Sequence, residues 1–170
     1  MQHSVLLITI SGEDRPGLVR AISEVLVQQG ANWEQSRMMN LSGRFVGLLQ
    51  VQVDSSKASE LEMALESLED LQMTIAYGQP SPLPARTLQL NILGADHPGI
   101  ISEISNVLAS QEINVETLRT HTEPAADSGT ILFRATAQLS MDQPLSLSDL
   151  QTSLESLAED LMVTVEIAES

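Results

Sequence analysis

The sequence predicts an α+β protein: two βαββαβ units in tandem, each an antiparallel four-stranded sheet with both helices on one face. Three observations carry that reading. The chain matches itself at an offset of 82 residues. Apolar residues switch between strand and helix spacing in the same order in each half. A proline-rich stretch separates the halves.

The self-match centres on Ser11-Gly12-Glu13-Asp14-Arg15-Pro16-Gly17-Leu18-Val19 and Leu93-Gly94-Ala95-Asp96-His97-Pro98-Gly99-Ile100-Ile101. Upstream, Leu6, Ile8 and Ile10 match Leu88, Leu90 and Ile92. Downstream, Asn32, Glu34 and Arg37 match Asn114, Glu116 and Arg119. Later the offset grows, with Leu65-Glu66-Ser67-Leu68 matching Leu154-Glu155-Ser156-Leu157 at 89, as insertions in loops allow. Alternate prolines in Pro80-Ser81-Pro82-Leu83-Pro84 resist both helix and central strand, which reads as a semi-rigid linker. The expected organisation is a first domain over residues 1–78, a linker over 79–86 and a second domain over 87–170.

The elements follow in order. Residues 5–11 and 88–94 read as first strands. The second of these alternates, and the first is apolar almost throughout, as a strand covered on both faces would be. Leu18, Ile22, Val25 and Leu26 recur at helical spacing, as do Ile100, Ile104, Val107 and Leu108, and Gly30 sits where the first helix should stop. Residues 32–39 and 114–122 read as second strands. Gly43 and Gly129 introduce third strands over 45–53 and 131–139. Leu61, Leu65, Leu68 and Leu71 form another helical stripe, matched by Leu150, Leu154, Leu157 and Leu161, and short last strands run near 73–77 and 163–167.

Composition narrows the function. Aromatics are 2% of the chain, so the core must be aliphatic. The formal charge is −15, with only eight Lys and Arg. Affinity for nucleic acid comes largely from basic side chains on phosphates, so direct DNA binding is not expected. Docking on anionic lipid is disfavoured for the same reason. The absence of cysteine removes disulfides and thiolate chemistry and fits a cytoplasmic location. The apolar start, residues 5–10, is too short to span a membrane.

The loops Asp14-Arg15-Pro16-Gly17 and Asp96-His97-Pro98-Gly99 lie where a strand turns into a helix. Two readings stay open. In one, proline occupies the first helical turn, Asp caps the free amides, and the loop is only a turn. In the other, those amides and the partial positive charge of the helix start hold the carboxylate of an amino acid, while Asp holds its ammonium group. Asn32 and Asn114, each opening the next strand, would complete the ligand's hydrogen bonds.

These residues resemble the ACT-domain family, a ferredoxin-like fold, over nearly the whole chain. Within it, Asn32-x-Glu34-x-Ser36-Arg37 and Arg119-Thr120-His121-Thr122-Glu123-Pro124-Ala125 are similar to the glycine cleavage system transcriptional repressors. The resemblance implies a cytoplasmic, glycine-responsive regulator that restrains a transcriptional activator by protein contact. It also implies a homodimer. Carried over residue by residue, the ligand set is Asp14, Pro16, Gly17, Leu18 and Asn32, with Asp96, Pro98, Gly99, Ile100 and Asn114 in the second copy. Some members of the family carry Asn where this chain has Asp14 and Asp96. His97 replaces Arg15, so the two sites need not be equivalent.

The remaining residues point to no chemistry of their own. His3, His97 and His121 show no ligand spacing, so no metal site is expected, and no cofactor. Trp33 reads as interface or core packing. Residues 60–70 read as a solvated acidic helix face that would also attract a basic partner. No catalytic set stands out. ACT units also occur attached to enzymes, including folate-dependent deformylases, but the two units leave no residues for a catalytic domain.

Overall fold

A computed structural model of the chain describes residues 2–78, 86–126, 129–141 and 147–169. The first unit contains β1 (His3–Glu13), α1 (Leu18–Gln28), β2 (Asn32–Leu41), β3 (Arg44–Asp54), α2 (Ala58–Glu66) and β4 (Leu71–Tyr77). The second contains β5 (Arg86–Ala95), α3 (Ile100–Ser110), β6 (Asn114–Pro124), β7 (Ile131–Met141), α4 (Leu147–Leu161) and β8 (Val163–Glu169). A 3-10 turn, Ser55–Lys57, leads into α2. The strand orders are β2-β3-β1-β4 and β6-β7-β5-β8, antiparallel throughout. The expected fold class holds in both halves.

The chain divides into two compact units, residues 1–81 and 82–170. Of the linker expected over 79–86, residues 79–85 lie outside the described residues and Arg86 already opens β5.

Each unit has its own aliphatic core. In the first, Leu6, Ile8 and Ile10 of β1 meet Leu18, Ile22 and Leu26 of α1 and Leu61 and Leu65 of α2. In the second, Leu88, Leu90 and Ile92 of β5 meet Ile100, Ile104 and Leu108 of α3 and Leu150 and Leu154 of α4. Each such side chain contributes about 1.5–3 kcal/mol on leaving water. Trp33 packs against the first core.

Two expectations change. β1 is buried on one face only: Leu6 and Ile8 are fully buried, whereas Val5 and Leu7 are half-buried and Thr9 is exposed. Its central character comes from ladders to β3 and β4 on its two edges, not from cover on both faces. The stripe of α2 also ends early. The helix stops at Glu66, Leu68 lies in the turn that follows, and Leu71 opens β4 as a buried strand residue. A local turn bond from the Leu71 amide to the Leu68 carbonyl redirects the chain there (3.1 Å). In the second unit α4 runs on through Leu161.

Both first helices close with the same backbone device. The Ala31 amide returns to the Leu26 carbonyl at 2.9 Å and that of Ile113 to Leu108 at 3.0 Å, around the left-handed residues Gly30 and Glu112.

Candidate functional site

Each loop between first strand and first helix is fixed at its start by one backbone bond. The Asp14 amide donates to the Gly43 carbonyl (3.0 Å) and the Asp96 amide to that of Ile131 (2.9 Å). Gly17 and Gly99 then take the helix N-cap position with φ of 98° and 108°. A side chain there would meet no neighbour within 4 Å, so the backbone conformation alone calls for glycine.

This arrangement corrects two parts of the turn reading. Among the described residues no side chain caps either helix, so Asp14 and Asp96 do not serve as caps. Pro16 and Pro98 precede the N-cap and lie outside the first helical turn. A proline disfavours the helical conformation at the residue before it, here Arg15 and His97. The first amides of each helix have no intrahelical acceptor and carry the positive end of the helix dipole. Leu18 and Ile100 are buried in the cores, so only their backbone amides can face a ligand.

The polar side chains differ between the copies. In the first, the Asn40 amide donates to the Asp14 carboxylate, and Arg15 forms an exposed ion pair with Asp70. In the second, Asp96 has no side-chain hydrogen bond among the described residues. His97 Nε2 lies 2.9 Å from the Leu161 carbonyl and Nδ1 lies 3.1 Å from the Pro98 carbonyl. The Leu161 carbonyl, then that of Pro98, holds the His97 pKa above the ordinary value near 6.5, with a further contribution from Asp96 against the cost of burial.

At the strand ends the pattern inverts. Asn32 has no side-chain partner among the described residues, whereas the Asn114 amide donates to Glu116 at 2.7 Å. A β-bulge follows each asparagine, between Trp33 and Gln35 and between Val115 and Thr117. The bulged residues Glu34 and Glu116 accept from Gln50 and Ser140 of the neighbouring strands. The repeated N-x-E spacing was the available signal, but spacing alone does not reveal a bulge.

The expected residues do not all converge within one unit. Asn32 pairs with Gln52, and Gln52 with Val5, at one end of the sheet. Asp14 follows Glu13, which pairs with Arg44 at the other end. Nine residues of strand separate the two levels, roughly 30 Å. Asn114 and Asp96 stand apart in the same way, level with Thr87 and just past Ala95. Asp14, Pro16, Gly17 and Leu18 do share one loop, as do Asp96, Pro98, Gly99 and Ile100.

Open cavities flank the Arg15–Asp70 pair. One of about 260 Å³ is lined by Glu13, Arg15, Arg44, Glu69, Asp70 and Gln72, among others. Its neighbour, about 280 Å³, includes Arg15, Leu18, Ala21, Leu68 and Asp70. Guanidinium and carboxylate groups together match a ligand that carries both charges. Sequence reasoning missed Glu13, Arg44, Glu69 and Asp70. Arg44 reaches the cavity because β3 starts opposite Glu13, and Asp70 because it precedes β4 beside β1. In the second unit a cavity of about 200 Å³ lies instead between α4 and β8, lined by Gln151, Leu154, Glu155 and Val165 among others.

Residues 4–77 match the ACT domain family model. The glycine cleavage system transcriptional repressor of Escherichia coli (strain K12) is 29% identical over 132 residues, 73% of this chain and 67% of that protein. A solved structure of a protein of unknown function from Galdieria sulphuraria superposes with a TM-score of 0.90 at 29% identity, covering 99% of each chain. Another, assigned provisionally to the glycine cleavage system transcriptional repressors, superposes with a TM-score of 0.74 at 22% identity over 100% of this chain and 99% of that one, a likeness of fold. The first unit is therefore an ACT domain, the second repeats its βαββαβ topology, and the chain is similar to the glycine cleavage system transcriptional repressor of Escherichia coli.

Proposed function

We propose that this chain is an amino-acid-sensing regulator that works in the cytoplasm through protein contact and not on DNA. Glycine is the first candidate ligand, and a transcriptional activator of the glycine cleavage system the first candidate partner. One observation carries the reading. In both copies the opening amides of the first helix are left uncapped by any side chain, close to an aspartate. Free amides of that kind suit the carboxylate of an amino acid. The ligand set proposed is Asp14, Pro16, Gly17, Leu18 and Asn32 with Asp96, Pro98, Gly99, Ile100 and Asn114. Because each asparagine stands at the far end of its own sheet, Asp and Asn of one copy of the fold do not share one ligand. A homodimer would supply further copies, and light scattering checks for it.

Titration calorimetry against the twenty amino acids tests the sensor. We expect saturable heat with glycine. Asp96→Ala, which removes a charged partner of the ammonium group, should weaken binding by about 1.5–3 kcal/mol, roughly 10- to 150-fold. No heat with any amino acid would refute the sensor. Pull-down of the activator with and without glycine then tests the output.

A second reading, a ligand-independent adaptor, draws support from the first copy alone, where Asn40 and Asp70 already engage Asp14 and Arg15. It predicts the same partner capture with and without glycine.

A further inference from the structure

We propose that the residue between Asp and Pro in each copy is a positioning residue that latches the site loop to the corner before the last strand, and that the second latch, His97, is fully made, with both carbonyls served, only while both ring nitrogens carry protons. The proposal rests on reading these loops as the ligand site.

The two corners correspond by register. Gly12 pairs with Leu71 and Gly94 with Val163, so Asp70 and Met162 occupy the same position. In the first copy Arg15 reaches Asp70 and forms an ion pair. In the second, Met162 offers no carboxylate, and His97 turns to backbone: Nε2 to the Leu161 carbonyl at 2.9 Å, Nδ1 to the Pro98 carbonyl at 3.1 Å.

A carbonyl oxygen only accepts. A neutral imidazole has one N–H, so it satisfies one of these carbonyls and turns a lone pair toward the other. Only the imidazolium donates to both. Leu161 is the last residue of α4, where carbonyls lack intrahelical partners and the negative end of the dipole lies, so a cation is favoured there. The charged groups on the surrounding elements point the same way. Asp96 in the loop acts on His97 directly, and Glu103 in the first turn of α3 and Glu159 and Asp160 in the last turn of α4 are the other acidic residues of the adjoining elements. Arg134 of β7 is paired with Glu123. The raised pKa of His97 agrees with this geometry.

The two copies therefore differ in kind. An arginine on an aspartate holds the first loop across the neutral range. A histidine that loses one of its two N–H donors as the medium turns alkaline holds the second, less firmly.

Histidine NMR on the full chain tests this, with His3→Gln and His121→Gln leaving His97 as the one imidazole. We expect both ring nitrogens protonated at low pH, a midpoint above 6.5, and the amides of Gly99, Ile100 and Met162 shifting with that same midpoint. In the double variant His97→Arg, Met162→Asp, which rebuilds the first latch, those amides should lose the transition. Aspartate tolerates the left-handed backbone of Met162 (φ 53°). A midpoint at or below 6.5, or loop amides indifferent to the titration, would overturn the latch; this readout contains no amino acid, so it fails or stands separately from the sensor. Glycine calorimetry at pH 6 and pH 8 reads the coupling, expected as about fivefold or more tighter binding at pH 6. Equal affinity at both values would overturn His97 as a positioning residue of the site.

Discussion

Asp14 and Asp96 occupy the same place in the two repeats, yet one is engaged by Asn40 and the other has no side-chain partner among the described residues. That difference arises beyond the motif. Asn40 stands at the end of β2, where the second copy has Thr122, and adjacency in space between residues 26 apart is not legible in a string of letters. What was legible is the loop itself, because Pro restricts the backbone and Gly admits the left-handed conformation a turn needs. His97 gives a residue-scale prediction for stability. Its folded pKa is raised, so its contribution is fully present below the unfolded value near 6.5 and is lost as pH rises through the higher folded value. The gap in urea midpoint between the native chain and His97→Gln should thus be wider at pH 5.5 than at pH 8.5. Equal gaps at the two pH values would count against an imidazolium in the folded state.

At the scale of elements, the corner before the last strand presses against the end of the first. A Cβ on Gly12 would lie 2.6 Å from the Asp70 carbonyl oxygen and 2.8 Å from the Leu71 side chain. On Gly94 it would lie 2.5 Å from Val163 Cγ1 and 2.9 Å from the Met162 carbonyl oxygen. Backbone must move in both cases. Gly12→Ala or Gly94→Ala should therefore destabilise its unit by about 1–3 kcal/mol, measurable by urea unfolding. It should also loosen the Arg15–Asp70 or the His97 latch, which the corner carries. Equal stability of variant and native chain would show that the corner yields freely. The self-match at Gly12 and Gly94 marked these positions, but not their reason. Element order and helix faces were legible because apolar spacing reports burial: Leu18, Ile22 and Leu26 are all core. The end of α2 was not, because Leu68 and Leu71 continue the helical spacing by chance while a turn bond redirects the chain. The bulges at Glu34 and Glu116 escaped for a related reason, since one inserted residue leaves the local composition of a strand unchanged.

Across the whole molecule, charge opposes folding. Twenty-three carboxylates face eight Lys and Arg. The exposed pairs Arg15–Asp70, Arg20–Glu24 and Arg134–Glu123 contribute about 0–1 kcal/mol each at most. A formal charge of −15 repels itself at every separation inside one Debye length. That length falls from about 30 Å at 0.01 M salt to about 8 Å at 0.15 M, from the span of a sheet to little more than one contact shell. Salt screens both effects, so the sign of its influence shows which dominates. Attraction in exposed pairs such as these is local and weak, whereas repulsion among the surplus carboxylates is summed over the surface. The thermal midpoint should therefore rise with sodium chloride between about 10 mM and 300 mM. A gain of about 1–2 kcal/mol would appear as roughly 2–8 °C for a chain of this size. A falling midpoint would mean that specific ion pairs outweigh the net charge. The same field would speed encounter with a basic partner, so the association rate should fall over the salt range in which the folded chain gains stability.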